Sequence, residues 1–238
     1  MAALLFVSPD RVGPEMAGPG VRYFELARRL CRSHDVLLAA PAGSAPLGPE
    51  PDLATYDPER PATLPPLLRG CRVVVAPPLP PRLARGLASG GRSWIVDLYN
   101  PEPFEGLEHQ KARPRLERKL RDIVRIDRIA YAIRSGAAFV CASERQRDMW
   151  LGFLAAGRRL ESDRYACDPQ LRTLVDVVPF GVPEAQPAAG PPRIRGSVFP
   201  ADARIMVWNG GLWDWLDPAT VLRALALLHR EDDSWRLV

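Results

Sequence analysis

The 238 residues suffice for one large domain, or for one domain and part of another. Hydrophobic residues make up 47% and charged residues 25%, which supports a folded core and excludes general disorder. The formal charge of +4 comes without a nucleic-acid-binding motif, so no nucleic-acid partner is implied, and no apolar run reaches the roughly 18 residues of a membrane span.

Along the chain, Ala2–Ser8 is a short apolar run ending at a Pro-Asp turn, and it reads as a buried strand. Entering such a strand directly, with no basic stretch before it, the N-terminus does not read as a signal peptide. A glycine-bearing loop leads to a helix from about Pro19 to Cys31 with Val21, Phe24, Leu26, Ala27 and Leu30 on its apolar face. Asp35–Ala40 reads as the second strand, and residues 41–66 as a long Pro-rich excursion without a period. A strand over Arg72–Ala76, a helix over Arg82–Ala88 and a strand over Ser93–Asp97 follow. One long helix is expected over about Leu107–Arg134, then a strand over Phe139–Ala142. Ser143 is a good N-cap for a helix over Glu144–Ala156, and Leu174–Val178 reads as the last strand of the set. Short apolar strands alternating with amphipathic helices define an α/β class, a parallel sheet covered on both faces.

The Pro- and Gly-rich stretch over 179–203 reads as a linker, after which the pattern restarts. Arg204–Trp208 is a strand, Asn209-Gly210-Gly211 a turn, Pro218–Arg230 a helix, and Trp235–Val238 the start of another strand. The division is therefore 1–180, a linker at 181–203, and 204–238 as the start of a second domain. A single βαβ unit cannot bury both faces of its sheet, so this second domain reads as truncated.

Four cysteines, Cys31, Cys71, Cys141 and Cys167, show no CxxC spacing and no accompanying histidine cluster. They read as reduced thiols, mostly buried, and point to the cytoplasm rather than to a metal site. No DxD triplet, Walker loop, GxSxG or HExxH occurs, so no metal and no hydrolase chemistry is indicated.

The candidate site residues lie where strands end. Gly18, Pro19 and Gly20 open the first long helix, where free backbone N–H groups attract anions, and Arg22 one turn in adds a charged donor for phosphate. The same loop also reads as a plain tight turn with Pro19 in the first helical turn. Asp97 ends a strand, the place where ligands lie in open α/β sheets, and is the candidate catalytic carboxylate. Asn100, Glu102 and Glu105 follow in a Pro-broken loop and can hydrogen-bond the hydroxyls of a ligand, as can Ser143 and Glu144 after the next strand. Gly210 and Gly211 form a turn with free backbone N–H groups after a strand, and Trp213 in the same loop is more often a core residue than a ligand contact. Residues 108–134 carry nine Lys/Arg against four Asp/Glu, a surplus of five, opposite an apolar stripe of Leu116, Leu120, Ile123 and Ile133. That pattern reads as a core-packed helix with a solvated charged face; it also suits an anionic bilayer.

Taken in order, Ser8-Pro9-Asp10, Ala17-Gly18-Pro19-Gly20-Val21-Arg22-Tyr23, Asp97-Leu98-Tyr99-Asn100-Pro101-Glu102-Pro103-Phe104-Glu105, Ala142-Ser143-Glu144-Arg145, Val177-Val178-Pro179-Phe180-Gly181-Val182-Pro183 and Trp208-Asn209-Gly210-Gly211-Leu212-Trp213-Asp214 resemble the bacterial glycosyltransferases of family four. The resemblance implies a GT-B fold, two Rossmann-like doubly wound domains facing across a cleft. It implies hexosyl transfer from a UDP- or GDP-linked sugar to a hydroxyl of a carbohydrate or lipid-linked acceptor, with retention, no further cofactor and no essential metal. By the same resemblance the first domain shapes the acceptor side and the second holds the donor. It also implies a Glu-x7-Glu donor motif, which these residues do not contain, so the chain alone is expected to be inactive. Many relatives place a histidine near the strand end at Asp97; here the nearest, His109, is twelve residues on. A lipid-linked acceptor would set the chain at the inner face of the membrane through residues 108–134. Two rivals stand beside this reading. A nicotinamide-dependent oxidoreductase requires GxGxxG, and Tyr23 stands three residues after Gly20. A non-catalytic α/β binding module requires no site at all.

Overall fold

The computed structural model describes residues 3–87, 90–182, 190, 193–212 and 216–238. Two compact units divide the chain: Met1–Glu105 with Pro114–Phe180, and Gly106–Arg113 with Gly181–Val238. Of the expected linker, residues 183–189, 191 and 192 lie outside the described residues.

The first unit is built on strands β1 (Leu4–Val7), β2 (Val36–Pro41), β3 (Asp52–Tyr56), β4 (Val73–Ala76), β5 (Ser93–Asp97), β6 (Ala138–Cys141) and β7 (Val175–Val177). They form one sheet in the order β3-β2-β1-β4-β5-β6-β7, with every neighbouring pair parallel. Runs such as Leu4-Leu5-Phe6-Val7 and Val73-Val74-Val75 are apolar at every position because both faces are covered. Register then sorts the side chains. Leu5 stands beside Leu37 and Val74, and Phe6 beside Leu38 and Val75. Helix α1 (Gly18–Leu30) covers the Phe6 face with Tyr23, Phe24 and Ala27. The Leu5 face is covered by α2 (Pro81–Leu87), α4 (Arg115–Ser135) and α5 (Glu144–Ala156), through Leu83, Leu87, Ile129, Ile133, Trp150 and Leu154.

Two elements depart from the sequence reading. The excursion over 41–66 contains β3 and two 3-10 turns, Pro61–Thr63 and Pro65–Leu68. Being an edge strand, β3 buries only Tyr56 fully, so it lacks both the continuous and the alternating apolar pattern. The expected single helix over 107–134 is two, α3 (Glu102–His109) and α4. Pro114 separates them, because a proline drives the residue before it out of the helical region, while Pro103 is tolerated in the first turn of α3. Along α4, Ile129, Ala132 and Ile133 are buried, whereas Leu116, Leu120 and Ile123 are exposed. The expectation that these three pack on the core is corrected: α4 is buried only in its last turns. A short helix, α6 (Ser162–Cys167), precedes β7.

The second unit holds β8 (Arg204–Met206), α7 (Pro218–Glu231) and β9 (Trp235–Leu237), one parallel pair joined by a helix. Asp217 caps α7, its carboxylate accepting from the Thr220 N–H and hydroxyl. All four thiols are free; Cys71 and Cys141 are buried, Cys31 is half-buried and Cys167 is exposed. Among the described residues no helix is long and apolar enough to cross a membrane.

Candidate functional site

In an open parallel sheet, ligands settle beyond the carboxyl ends of the strands where the strand order reverses. Here that point lies between β1 and β4: after β1 the order runs through β2 to β3 on one side, and after β4 through β5 to β7 on the other. The loops after β1, β3, β4 and β5 surround a cavity of ≈ 230 Å³. Its walls are Pro9, Pro19, Arg22 and Tyr23, then Tyr56 and Pro58, then Pro77-Pro78-Leu79-Pro80 with Leu83, then Asp97, Tyr99, Asn100 and Glu102, with Arg128 from α4.

The floor is a buried ion pair. Arg22 Nε donates to Asp97 Oδ2 at 2.9 Å and Nη2 to Oδ1 at 3.0 Å. Its Nη1 donates to the carbonyls of Val178 at 2.8 Å and Pro179 at 3.2 Å. The guanidinium lies 4.6 Å from the centre of the Tyr99 ring, and the Tyr99 and Phe180 rings meet at a tilt of 48°, 6.0 Å between centres. The two charged side chains are 0% and 1% exposed. Planar, forked donors matched to a carboxylate make such a bidentate pair strong and directional. Arg22, expected beside donor phosphates, is instead spent on tying α1 to the end of β5 and to the segment after β7. Asp97, the expected catalytic carboxylate, gives both oxygens to Arg22.

Tyr23 and Tyr56 are held neutral. Burial, and then the neighbouring Asp97, hold the Tyr23 hydroxyl well above its ordinary pKa. Burial, aided by Asp10, pushes Tyr56 up to about 12, and its hydroxyl donates to the Ser8 carbonyl at 2.8 Å. At the cavity lip Glu102 pairs with Arg128. Desolvation raises the Glu102 carboxyl above the usual range against the opposing pull of Arg128. Glu105 is raised as well, by burial and by Glu102.

Of the residues expected from sequence, the cavity brings together Pro19, Arg22, Asp97, Asn100 and Glu102. Gly18, Gly20, Glu105, Ser143 and Glu144 do not line it. Gly20 has a packing reason to be glycine, since a Cβ there would sit 2.5 Å from the Arg11 carbonyl oxygen. Ser143 caps α5, its hydroxyl accepting from the Gln146 N–H, and Glu144 pairs with Arg172 at 2.9 Å. Gly210 and Gly211 are exposed in the second unit, and Trp213 lies outside the described residues. Sequence reasoning missed Tyr23, Tyr56, Tyr99 and Arg128. The available signal was the Pro77-Pro78-Leu79-Pro80 run straight after an apolar strand, which marks a rigid loop at the ligand edge.

Neither a protein-family model nor a curated protein matches the sequence. In structure, the chain is similar to a double variant of Os79 from O. sativa in complex with UDP, at a TM-score of 0.51 and 13% identity, over 88% of this chain and 61% of that one. A single variant of Os79, also in complex with UDP, gives a TM-score of 0.48 at 14% identity, over 89% and 61%. The chain thus spans less than two thirds of the length of these structures. The fold class is α/β and GT-B-like: a Rossmann-like doubly wound parallel sheet followed by one βαβ unit.

Proposed function

We propose that this chain is the acceptor-side part of a GT-B glycosyltransferase, moving a sugar from a nucleotide diphosphate sugar to a hydroxyl acceptor, with retention and without an essential metal. The observation that carries the reading is the cavity at the strand-order reversal, walled by tyrosine and proline and offered Asn100 and Glu102 as hydrogen-bonding groups. The ordered resemblance to the family-four enzymes supports it, and so does a fold shared with a protein crystallised with UDP. On this reading residues 1–180 form the acceptor domain, 181–203 the linker and 204–238 the start of the donor domain. Asn100 and Glu102 hold the acceptor, and Asp97 acts as a positioning group that keeps Arg22 and the cavity floor in place. The backbone N–H groups of Gly210 and Gly211, with Trp213 against the sugar, belong to the donor side, where departure of the diphosphate is stabilised electrostatically. The exposed apolar residues of α4, flanked by Arg115 and Lys119, would seat the chain peripherally on an anionic bilayer beside a lipid-linked acceptor.

The test is transfer from a radiolabelled UDP- or GDP-sugar. A chain extended through a complete second domain should transfer, and the 238 residues alone should not. In the extended chain, Asn100→Ala should raise the acceptor KM by about tenfold, the cost of one lost hydrogen bond to a substrate hydroxyl. An extended chain that neither transfers nor binds a nucleotide sugar would leave a non-catalytic binding module.

A further inference from the structure

The charges around the cavity cancel in pairs. Asp97 is taken by Arg22, and Glu102 by Arg128. An anion entering this space meets a carboxylate beside each guanidinium, and it would have to shed its water without gaining an unopposed cation. Neutral hydroxyls face no such penalty. They can donate to the remaining lone pairs of the Glu102 carboxylate and exchange hydrogen bonds with the Asn100 amide. Tyr23, Tyr56 and the prolines over 77–80 also line the cavity, and their apolar rings suit the apolar face of a sugar or aryl ring. At ≈ 230 Å³ the cavity is below the roughly 300–1,000 Å³ of pockets for drug-sized ligands, so it has room for about one ring.

We infer that the acceptor group is a single neutral, hydroxyl-bearing ring, and that the Glu102–Arg128 pair is the element that rejects anionic acceptors. The inference rests on the cavity being the acceptor site. It assigns Glu102 a selective role: its carboxylate both receives a hydroxyl proton donor and shields Arg128 from phosphate. Glutamine at this position keeps the size and the hydrogen-bonding capacity but removes the shield.

Ligand-observed NMR titration of the full chain tests this, with methyl glucoside as the neutral probe and glucose 6-phosphate as the anionic one. The wild-type chain should bind the neutral probe at least about tenfold more tightly. Glu102→Gln should shrink or reverse that ratio by about tenfold, because Arg128 is released to the phosphate. Arg128→Gln should move the ratio the other way. Opposite shifts from two neighbouring substitutions are not produced by a general loosening of the fold. Equal or tighter binding of glucose 6-phosphate by the wild-type chain would overturn the inference while leaving the acceptor site in place. Absence of any binding perturbed by Asn100→Ala, Glu102→Gln or Arg128→Gln would remove the acceptor site itself.

Discussion

Two βαβ stretches of this chain share a grammar and differ in outcome. In β1-α1-β2 the strands are almost wholly buried, and α1 buries Gly20, Arg22, Tyr23, Phe24 and Ala27. In β8-α7-β9 the strands are half-exposed, and α7 buries none of its 14 residues. Both helices begin with a proline in the first turn, and both connect parallel neighbours. What separates them is what lies alongside. β1 is paired on both sides, by β2 and β4, whereas among the described residues β8 pairs only with β9. Local pattern is enough to shape the unit, and burial comes from the neighbours. The same neighbours bring the functional groups together, since the cavity gathers residues from the ends of β1, β3, β4 and β5.

The strongest way to break this comparison is to attack what ties α1 to β5. Arg22→Ala should cost about 3–5 kcal/mol, because it leaves Asp97 charged and buried without a partner. Denaturant unfolding followed by tryptophan fluorescence measures this. The double variant Arg22→Met with Asp97→Leu should recover most of the loss, since no buried charge is then left unpaired. A loss below about 1 kcal/mol for Arg22→Ala would mean that water reaches the pair, and that the cavity floor is not the closed structure described above.

Equivalent truncations then sharpen the contrast. Leu38→Ala, in a strand where the side chain is 0% exposed, should cost about 2–5 kcal/mol. Leu227→Ala, on α7 at 62% exposure, should stay within about 0.5 kcal/mol. Both are read from urea midpoints. Similar costs at the two sites would show that Leu227 is packed in solution as Leu38 is.

The contrast also explains what the sequence made legible. Strands buried on both faces announce themselves as unbroken apolar runs, so β1, β2, β4 and β5 can be read directly. An edge strand cannot be, and β3 hid inside a Pro-rich stretch even though its last residue, Tyr56, lines the cavity. The site was legible where a polar residue follows a strand, as with Asp97, Asn100 and Glu102. It was not legible where a partner comes from far along the chain. Arg22 and Asp97 are 75 residues apart, and Glu102 and Arg128 are 26 apart. Nothing local tells that Arg22 faces a carboxylate rather than a ligand, or that Leu116 and Leu120 are exposed while Ile133 is buried.

The smallest effect concerns the lip of the cavity and reads the difference between buried and exposed carboxylates. Glu102 and Glu105 have folded-state pKa values raised by burial, so folding favours their protonated forms. Their contribution to stability is complete below the ordinary carboxylate range and is lost as pH rises through the raised values. Asp168 and Asp176 behave oppositely. Hydrogen bonds from the Thr173 and Val177 backbones lower their pKa values, so what they contribute is present above the ordinary range and is lost as pH falls. The wild-type profile mixes the two groups, and a single neutralisation separates them. Glu105→Gln resembles the protonated wild type at low pH, so the two melting curves should coincide there. As pH rises through the carboxylate range, the variant escapes both desolvation of its charge and repulsion from Glu102, and it should gain about 1–2 °C, the size usual for a partly exposed position. A difference that is flat across pH would place Glu105 in solvent, and a variant that melts lower at neutral pH would mean that the Glu105 charge stabilises the fold.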